Sequence, residues 1–152
     1  MLIFKFLEKD SIPRVIELVT TVFDKDVAHQ YNQEGNNEFH KYLDYISFVK
    51  RINTNHELVG AYIKNKLVGV LEIRDSNHIS LLFVSGEFQS QGIGRQLFNF
   101  YLNNRPLNHN GVFTVNASPN AVRFYESIGF YKNEKENVKN GIRFFPMRKI
   151  LT

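Results

Sequence analysis

Residues 79–101 read ISLLFVSGEFQSQGIGRQLFNFY, from Ile79 to Tyr101, and the rest of the chain is organised around them. Ile79 to Val84 is a short β-prone apolar run, the length of a buried strand and too short for a helix. A turn rich in Ser, Gly and Gln follows. Past it, Ile93, Leu97, Phe98, Tyr101 and Leu102 recur at the spacing of one helical face. Strand, glycine turn and helix together make a cradle for an anion. The first turn of a helix has N–H donors without internal acceptors, and its macrodipole places partial positive charge there. Glycine lets such a backbone approach a bulky phosphate without a Cβ in the way. Taken alone, the pattern also fits a helix that merely begins after a glycine turn.

Two phosphate motifs fail on this stretch. A dinucleotide fingerprint needs a third glycine where Leu97 stands, and a P-loop needs Gly-Lys-Ser/Thr where Gly94 is followed by Arg95-Gln96. What remains, Gln89-Ser-Gln-Gly92-Ile-Gly94 after a strand, resembles the coenzyme A-binding motif of the GNAT superfamily of N-acetyltransferases. A second segment, Asn120-Ala-Val-Arg-Phe-Tyr-Glu-Ser-Ile-Gly-Phe130, is similar to that family's later helix, and the resemblance extends from about Glu57 to Phe130.

The whole chain fits this reading. Its 152 residues suit one domain, residues 1–152, with 43% hydrophobic and 22% charged residues in the ordinary globular range. No apolar run approaches a membrane span. The N-terminal MLIFKFLEKD lacks the design of a signal peptide, so a soluble cytoplasmic protein is expected. Absence of cysteine excludes disulfides and a thiol nucleophile. The formal charge of +4 comes without a basic run, so neither nucleic acid nor membrane is expected as a partner. No metal spacing such as HExxH occurs, so no metal is expected.

Periodicity and turn signals give the order β-α-α-β-β-β-α-β-α-β-β. Leu2 to Leu7 opens as a strand. Asp10 or Ser11 caps a helix that tolerates Pro13, and a second helix begins at Asn36 or Asn37, placing Phe39, Tyr42, Leu43, Ile46 and Val49 on one face. Glu57–Ile63 and Leu67–Arg74 form a hairpin across Lys64-Asn65-Lys66. Arg105-Pro106 breaks the glycine-turn helix, Val112 to Val115 is a strand, and Gly129 ends the next helix. The expected fold is α/β (α+β), a GNAT-type mixed central sheet of about six or seven strands flanked by about four helices.

The resemblance carries expectations for individual residues. It implies an acetyl-CoA-dependent acyltransferase that moves the acetyl group to a primary amine of a small molecule or peptide by direct attack on the thioester. The backbone from Gln89 through Ser90, Gln91, Gly92, Ile93 and Gly94 would hold the pyrophosphate, with Gln89 closing the turn. Arg95 would add a charge or stand as an ordinary exposed helical arginine. The pantetheine arm would lie between Leu82, Phe83 and Val84 and the strand ending near Val115 and Asn116. Asn120 would bind the pantetheine or adenine end, or cap its helix. Phe124 would line the cofactor, and Tyr125 would be the general acid. The same inward face also suits a plain core tyrosine. A tyrosine of ordinary pKa is protonated in the cell and can donate.

The base stays open between Glu72, His78, His40 and water. Glu72 lies mid-strand, on a face that either lines the substrate cleft or pairs with Arg74 in solvent. The segment Val27 to His40, with Tyr31, Glu34 and Asn36, would choose the acceptor. A non-catalytic acyl-CoA-binding sensor of the same fold is the alternative, and monomer and homodimer both remain open.

Overall fold

The structure, a computed structural model, describes residues 1–105 and 111–151. The expected break at Pro106 lies outside the described residues. Eight strands and five α-helices follow one another as β1 (Leu2–Leu7), α1 (Ile12–Asp26), α2 (Gln33–Tyr42), α3 (Tyr45–Ile52), β2 (His56–Ile63), β3 (Lys66–Arg74), β4 (His78–Val84), α4 (Ile93–Asn104), β5 (Val112–Ala117), α5 (Val122–Ser127), β6 (Tyr131–Lys132), β7 (Asn137–Lys139) and β8 (Ile142–Ile150). The sheet runs β1-β2-β3-β4-β5-β8-β6, with β7 paired to β8 alongside it. Among the described strands, only β4 and β5 are parallel neighbours. The mixed α/β architecture is the one expected, with one more helix and the short β7 added.

The turns follow local chemistry. The β2–β3 hairpin closes through Lys64 (φ 49) and Asn65 (φ 66), two consecutive left-handed residues of the kind that match strand twist. Asn140 (φ 52) and Gly141 (φ 80) do the same between β7 and β8. Gly129, at φ 102, ends α5 as expected: its N–H reaches the Glu126 carbonyl and the Phe130 N–H reaches the Tyr125 carbonyl. That pair of bonds is a Schellman cap.

The second helix divides where one was expected. Asp44 leaves helical geometry (φ −58, ψ 137) and its side chain accepts the Ser47 N–H at 3.2 Å, which starts α3 afresh. The break turns the new helix about its axis, so Phe48 is fully buried while Ile46 is 63% exposed. Upstream, Asn32 caps α2 by accepting the Gly35 N–H at 2.8 Å, so this helix begins at Gln33, ahead of the expected start at Asn36 or Asn37.

Each face of the sheet carries its own core. On one, Val59, Leu71, Ile73 and Ile79 pack with Leu97, Phe98 and Tyr101 of α4 and Tyr125 of α5. On the other, Leu58, Val70 and Leu81 pack with Ile12, Val15 and Val19 of α1 and Phe48 of α3. Among the described residues, no helix is long and apolar enough to cross a membrane.

Candidate functional site

One irregularity in the sheet creates the site. Along β3 and β4 the register runs Leu71↔Leu82, Glu72↔Leu81 and then Ile73↔Ile79, so Ser80 is an extra residue on β4. A bulge of this kind bends its strand and strengthens the local twist. Beyond it β4 leaves β5: the two pair only at His78↔Thr114 and Ile79↔Val115, although β4 continues to Val84 and β5 to Ala117. The facing backbone edges of Leu81–Val84 and Asn116–Ala117 therefore lack a strand partner in this gap. A cleft of about 630 Å³ opens there, lined by Leu82, Phe83 and Val84 on one wall and Val115, Asn116 and Ala117 on the other.

The glycine turn closes one end of this cleft. Ser90 (φ 63) and Gly92 (φ 83) adopt left-handed conformations, and α4 starts at Ile93. Among the described residues from Ser90 onward, Gln96 is the first whose N–H finds a backbone acceptor, the Gly92 carbonyl at 3.0 Å. The donors before it, at the N-terminus of a twelve-residue helix, are free for an anion. Gln89 closes the turn as expected, its Nε2 donating to the Val84 carbonyl at 3.0 Å and to Asp26 Oδ2 at 3.1 Å. Gly94 is small for a different reason. A Cβ there would stand 2.9 Å from Cζ of Phe124, whose ring lies across the turn from α5.

Tyr125 lines the same cleft and is 6% exposed. Burial pushes its hydroxyl well above the ordinary tyrosine pKa, and its ring packs edge-on to Phe124 and Phe130. The group is thus a neutral donor, and its hydroxyl bonds to no other described residue. Asn120 also lines the cleft, in a 3-10 turn (Pro119–Ala121) rather than as a cap on α5. Its Nδ2 donates to the Asp26 carbonyl at 3.1 Å and its Oδ1 accepts from Ser118 at 2.8 Å. Arg95 lines the cleft too, with Nη2 donating to the Ser127 carbonyl at 3.0 Å, which joins α4 to the end of α5.

Glu72 stands elsewhere, and the expectation that it faces a substrate cleft is corrected. It is fully buried beneath α2 and α3 and is not part of the cleft lining. Arg51 grips both its oxygens, Nε to Oε2 at 2.8 Å and Nη2 to Oε1 at 3.2 Å. His56 Nδ1 and the Tyr42 hydroxyl also meet Oε2. Burial alone would raise this carboxyl, but the hydrogen bonds from His56 and Arg51 outweigh it and hold the pKa below the ordinary range. A carboxylate so paired is a poor proton acceptor. Pairing with Arg74 does not occur either, since Arg74 lies beside Asp75.

The other candidate bases fare similarly. His78 bonds Thr114 at 2.7 Å, and burial lowers its pKa to about 4. His40 is tied to Asp24 at 3.0 Å and to the Asn36 carbonyl at 2.8 Å. Neither residue lines the cleft.

The residues that sequence reasoning missed are Val22 and Asp26 of α1, whereas Val27, Tyr31 and Phe39 belong to the segment expected to choose the acceptor. Val22, Asp26, Val27, Tyr31 and Phe39 all line the cleft. The chain from Asp26 to Gln30 straps its two walls together, bonding Gln89 on one side and Asn120 on the other. Nothing local in the sequence marks these contacts, which span 63 to 94 residues.

Known proteins agree with this architecture. Residues 27–151 match the model of the acetyltransferase (GNAT) domain family. Among solved structures, a GCN5-related N-acetyltransferase from Rhodopseudomonas palustris is 18% identical, with a TM-score of 0.82 over 98% of this chain and 95% of that one. The PaiA N-acetyltransferase from Thermoplasma acidophilum, solved in complex with coenzyme A, is 15% identical, with a TM-score of 0.79 over 99% of both chains. A chimera of the spermidine N-acetyltransferase SpeG from Vibrio cholerae is 17% identical, with a TM-score of 0.65 over 98% of this chain and 95% of that one. At these identities the likeness is one of fold. No curated protein sequence gives a significant match.

Proposed function

This chain belongs to the GNAT acetyltransferase family, and from that premise we propose that residues 1–152 act as one acetyl-CoA-dependent N-acetyltransferase domain. The acceptor is a primary amine of a small molecule or peptide, and the amine attacks the thioester directly. One observation carries the reading: the gap between β4 and β5 and the unpaired donors of the glycine turn open onto the same cleft.

Each element of that cleft suits one part of the donor. Backbone donors from Ser90 to Gly94 suit the pyrophosphate, and Gly92 and Gly94 keep side chains away from it. The unpaired edge at Leu82–Val84 suits an amide-bearing pantetheine arm, which would add to β4 as a strand does, with Asn116 and Asn120 facing it. When the amine nitrogen bonds to the carbonyl carbon, the carbon–sulfur bond breaks and its electron pair goes to sulfur. Tyr125, a neutral donor in the cleft lining, then supplies a proton to the thiolate. The amine's own proton leaves to water, since Glu72, His78 and His40 are engaged away from the cleft, and a proton returned from water restores the Tyr125 hydroxyl.

Acetyl-CoA at about 100 times its Kd should stabilise the fold by roughly 2.7 kcal/mol, read as a rise in Tm. No shift at millimolar concentration removes the reading. Gly92→Asp should erase the shift, because it sets a carboxylate where the pyrophosphate belongs. Tyr125→Phe should keep the shift and lose roughly 10²-fold in kcat. Full turnover in that variant would return Tyr125 to the core.

A further inference from the structure

The cleft draws its lining from both sides of the sheet, and the chemistry of the two sides differs. Side chains alternate along β4, so Leu82 and Val84 pack towards α4 and α5 while Leu81 and Phe83 pack towards α1, α2 and α3. The glycine turn, Phe124 and Tyr125 belong to the first side. On the second, Phe83 is joined by Val22, Tyr31 and Phe39 in lining the cleft. The wall they make is tied down from behind. Phe23, fully buried in α1, meets Phe39 at 4.0 Å between ring centroids and Tyr31 at 5.6 Å, and Phe39 meets Phe83 at 6.0 Å. Phe39, Phe83 and Tyr31 are only partly buried, so their rings remain open to an occupant.

Charge is placed away from this wall. Among the described residues that line the cleft, the formal charges are Asp26 and Arg95. Asp26 is held at the glycine-turn end by Gln89, and Arg95 is held by Ser127. The nearby carboxylates off the cleft are engaged as well, Asp24 by His40 and Glu136 by Arg143. Glu34 sits exposed in the first turn of α2 and does not line the cleft. The charge that does approach is positive: Arg143 Nη1 donates to the Gln30 carbonyl at 3.4 Å, one residue from Tyr31.

We propose that this aromatic side of the cleft admits a small monoamine with a flat, apolar, aromatic body and discriminates against polyamines. The inference rests on the acetyltransferase reading and deepens it by naming the acceptor. A second or third ammonium would have to lose water against an aromatic wall whose one cleft-lining carboxylate among the described residues, Asp26, is held by Gln89 at the glycine-turn end, and a charge buried without a partner is costly. An aromatic body, by contrast, gains area and ring–ring contact against a wall already locked in place. The same apolar surroundings favour the neutral form of the reacting amine, as burial does for any ammonium. The neutral form is the nucleophile. The wall thus does part of the work that a dedicated base would otherwise do.

Phenethylamine and spermidine, compared at saturating acetyl-CoA with thiol release as readout, test the proposal. Phenethylamine should be preferred by at least about tenfold in kcat/KM. Phe39→Leu and Phe83→Leu keep apolar volume but remove a ring, and each should cost phenethylamine about 3- to 10-fold. The KM for acetyl-CoA and its thermal shift should not change in Phe39→Leu, which lies off the β4 edge. Equal or better turnover of spermidine overturns the proposal. If acetyl-CoA binds but no amine reacts, phenethylamine is titrated calorimetrically into the coenzyme A-loaded protein. Binding that weakens in Phe39→Leu supports the aromatic pocket while removing the transferase reading, and no binding overturns the pocket. Absence of any acetyl-CoA shift removes both.

Discussion

Gly92 and Gly94 stand two residues apart in one motif and are glycine for separate reasons. Gly92 sits at φ +83, and a Cβ there would meet only Gln96 Nε2 at an ordinary 3.8 Å, so its requirement is conformational. Gly94 is in ordinary helix, and its requirement is the Phe124 ring 2.9 Å from the missing Cβ. Alanine at the two sites should therefore have opposite consequences. Gly92→Ala places an L side chain in the left-handed region and should cost about 1–2 kcal/mol of stability in urea denaturation. Gly94→Ala gains about 1 kcal/mol of helix propensity and asks only a ring edge to yield, so stability should stay within about 1 kcal/mol of the parent. Its effect should fall on acetyl-CoA binding, because Phe124 is pushed into the cleft. Equal losses in the two variants would mean that one constraint governs the whole turn. Both glycines were legible in the sequence as a phosphate motif. Which constraint each one answers was not, because Phe124 meets Gly94 from another helix.

At the scale of elements, the sequence was most legible where a local rule decides the outcome. The β2–β3 hairpin, the Gly129 cap and the glycine turn each depend on a few adjacent residues, and each formed as their chemistry required. The division of α2 from α3 rests on one competing cap, Asp44, inside an unbroken apolar stripe, so periodicity ran straight through it. Glu72 was misplaced because its meaning lies in partners 16 to 30 residues away. These partners make a cluster that fastens α2 and α3 to β3. Arg51 also donates to the Tyr42 carbonyl at 2.6 Å and stacks on the rings of Tyr42 and Phe48. Removing one member should hurt more than removing both charges. Arg51→Met leaves a buried carboxylate short of its main partner and should cost about 3 kcal/mol or more, whereas Arg51→Met with Glu72→Leu should recover much of that loss. Denaturant midpoints of the single and double variants measure the difference. Additive losses would show that Arg51 stabilises by packing on its rings instead of by pairing.

Taken whole, the molecule is a sheet with a core on each face and a gap between two of its strands, and the acidic limit of its stability follows from the polar groups at the base of that gap. His78 begins β4, pairs opposite Thr114 one residue before the last β4–β5 pair, Ile79↔Val115, and is 9% exposed. Burial first, then the neighbouring Arg74 and His56, lower its pKa to about 4, with Asp75 opposing them. In the unfolded chain the same imidazole titrates near 6.5. Between those values the unfolded state binds the proton that the folded state refuses, so stability is complete above about pH 6.5 and falls as pH drops towards 4. A shift of this size corresponds to about 3 kcal/mol at most. Glu72 acts in the same direction lower down: its carboxyl is held below its unfolded value, so its contribution is lost as pH falls beneath the ordinary carboxylate range. The parent protein should therefore lose stability in two stages on acidification, the first through His78. His78→Gln keeps a side chain able to bond Thr114 and removes the titration. Urea midpoints taken from pH 7 to pH 4 should be nearly flat in that variant down to about pH 4.5, while the parent declines across the same range. Parallel curves for the two proteins would place the acid sensitivity in groups other than the histidine that anchors the parting of β4 and β5.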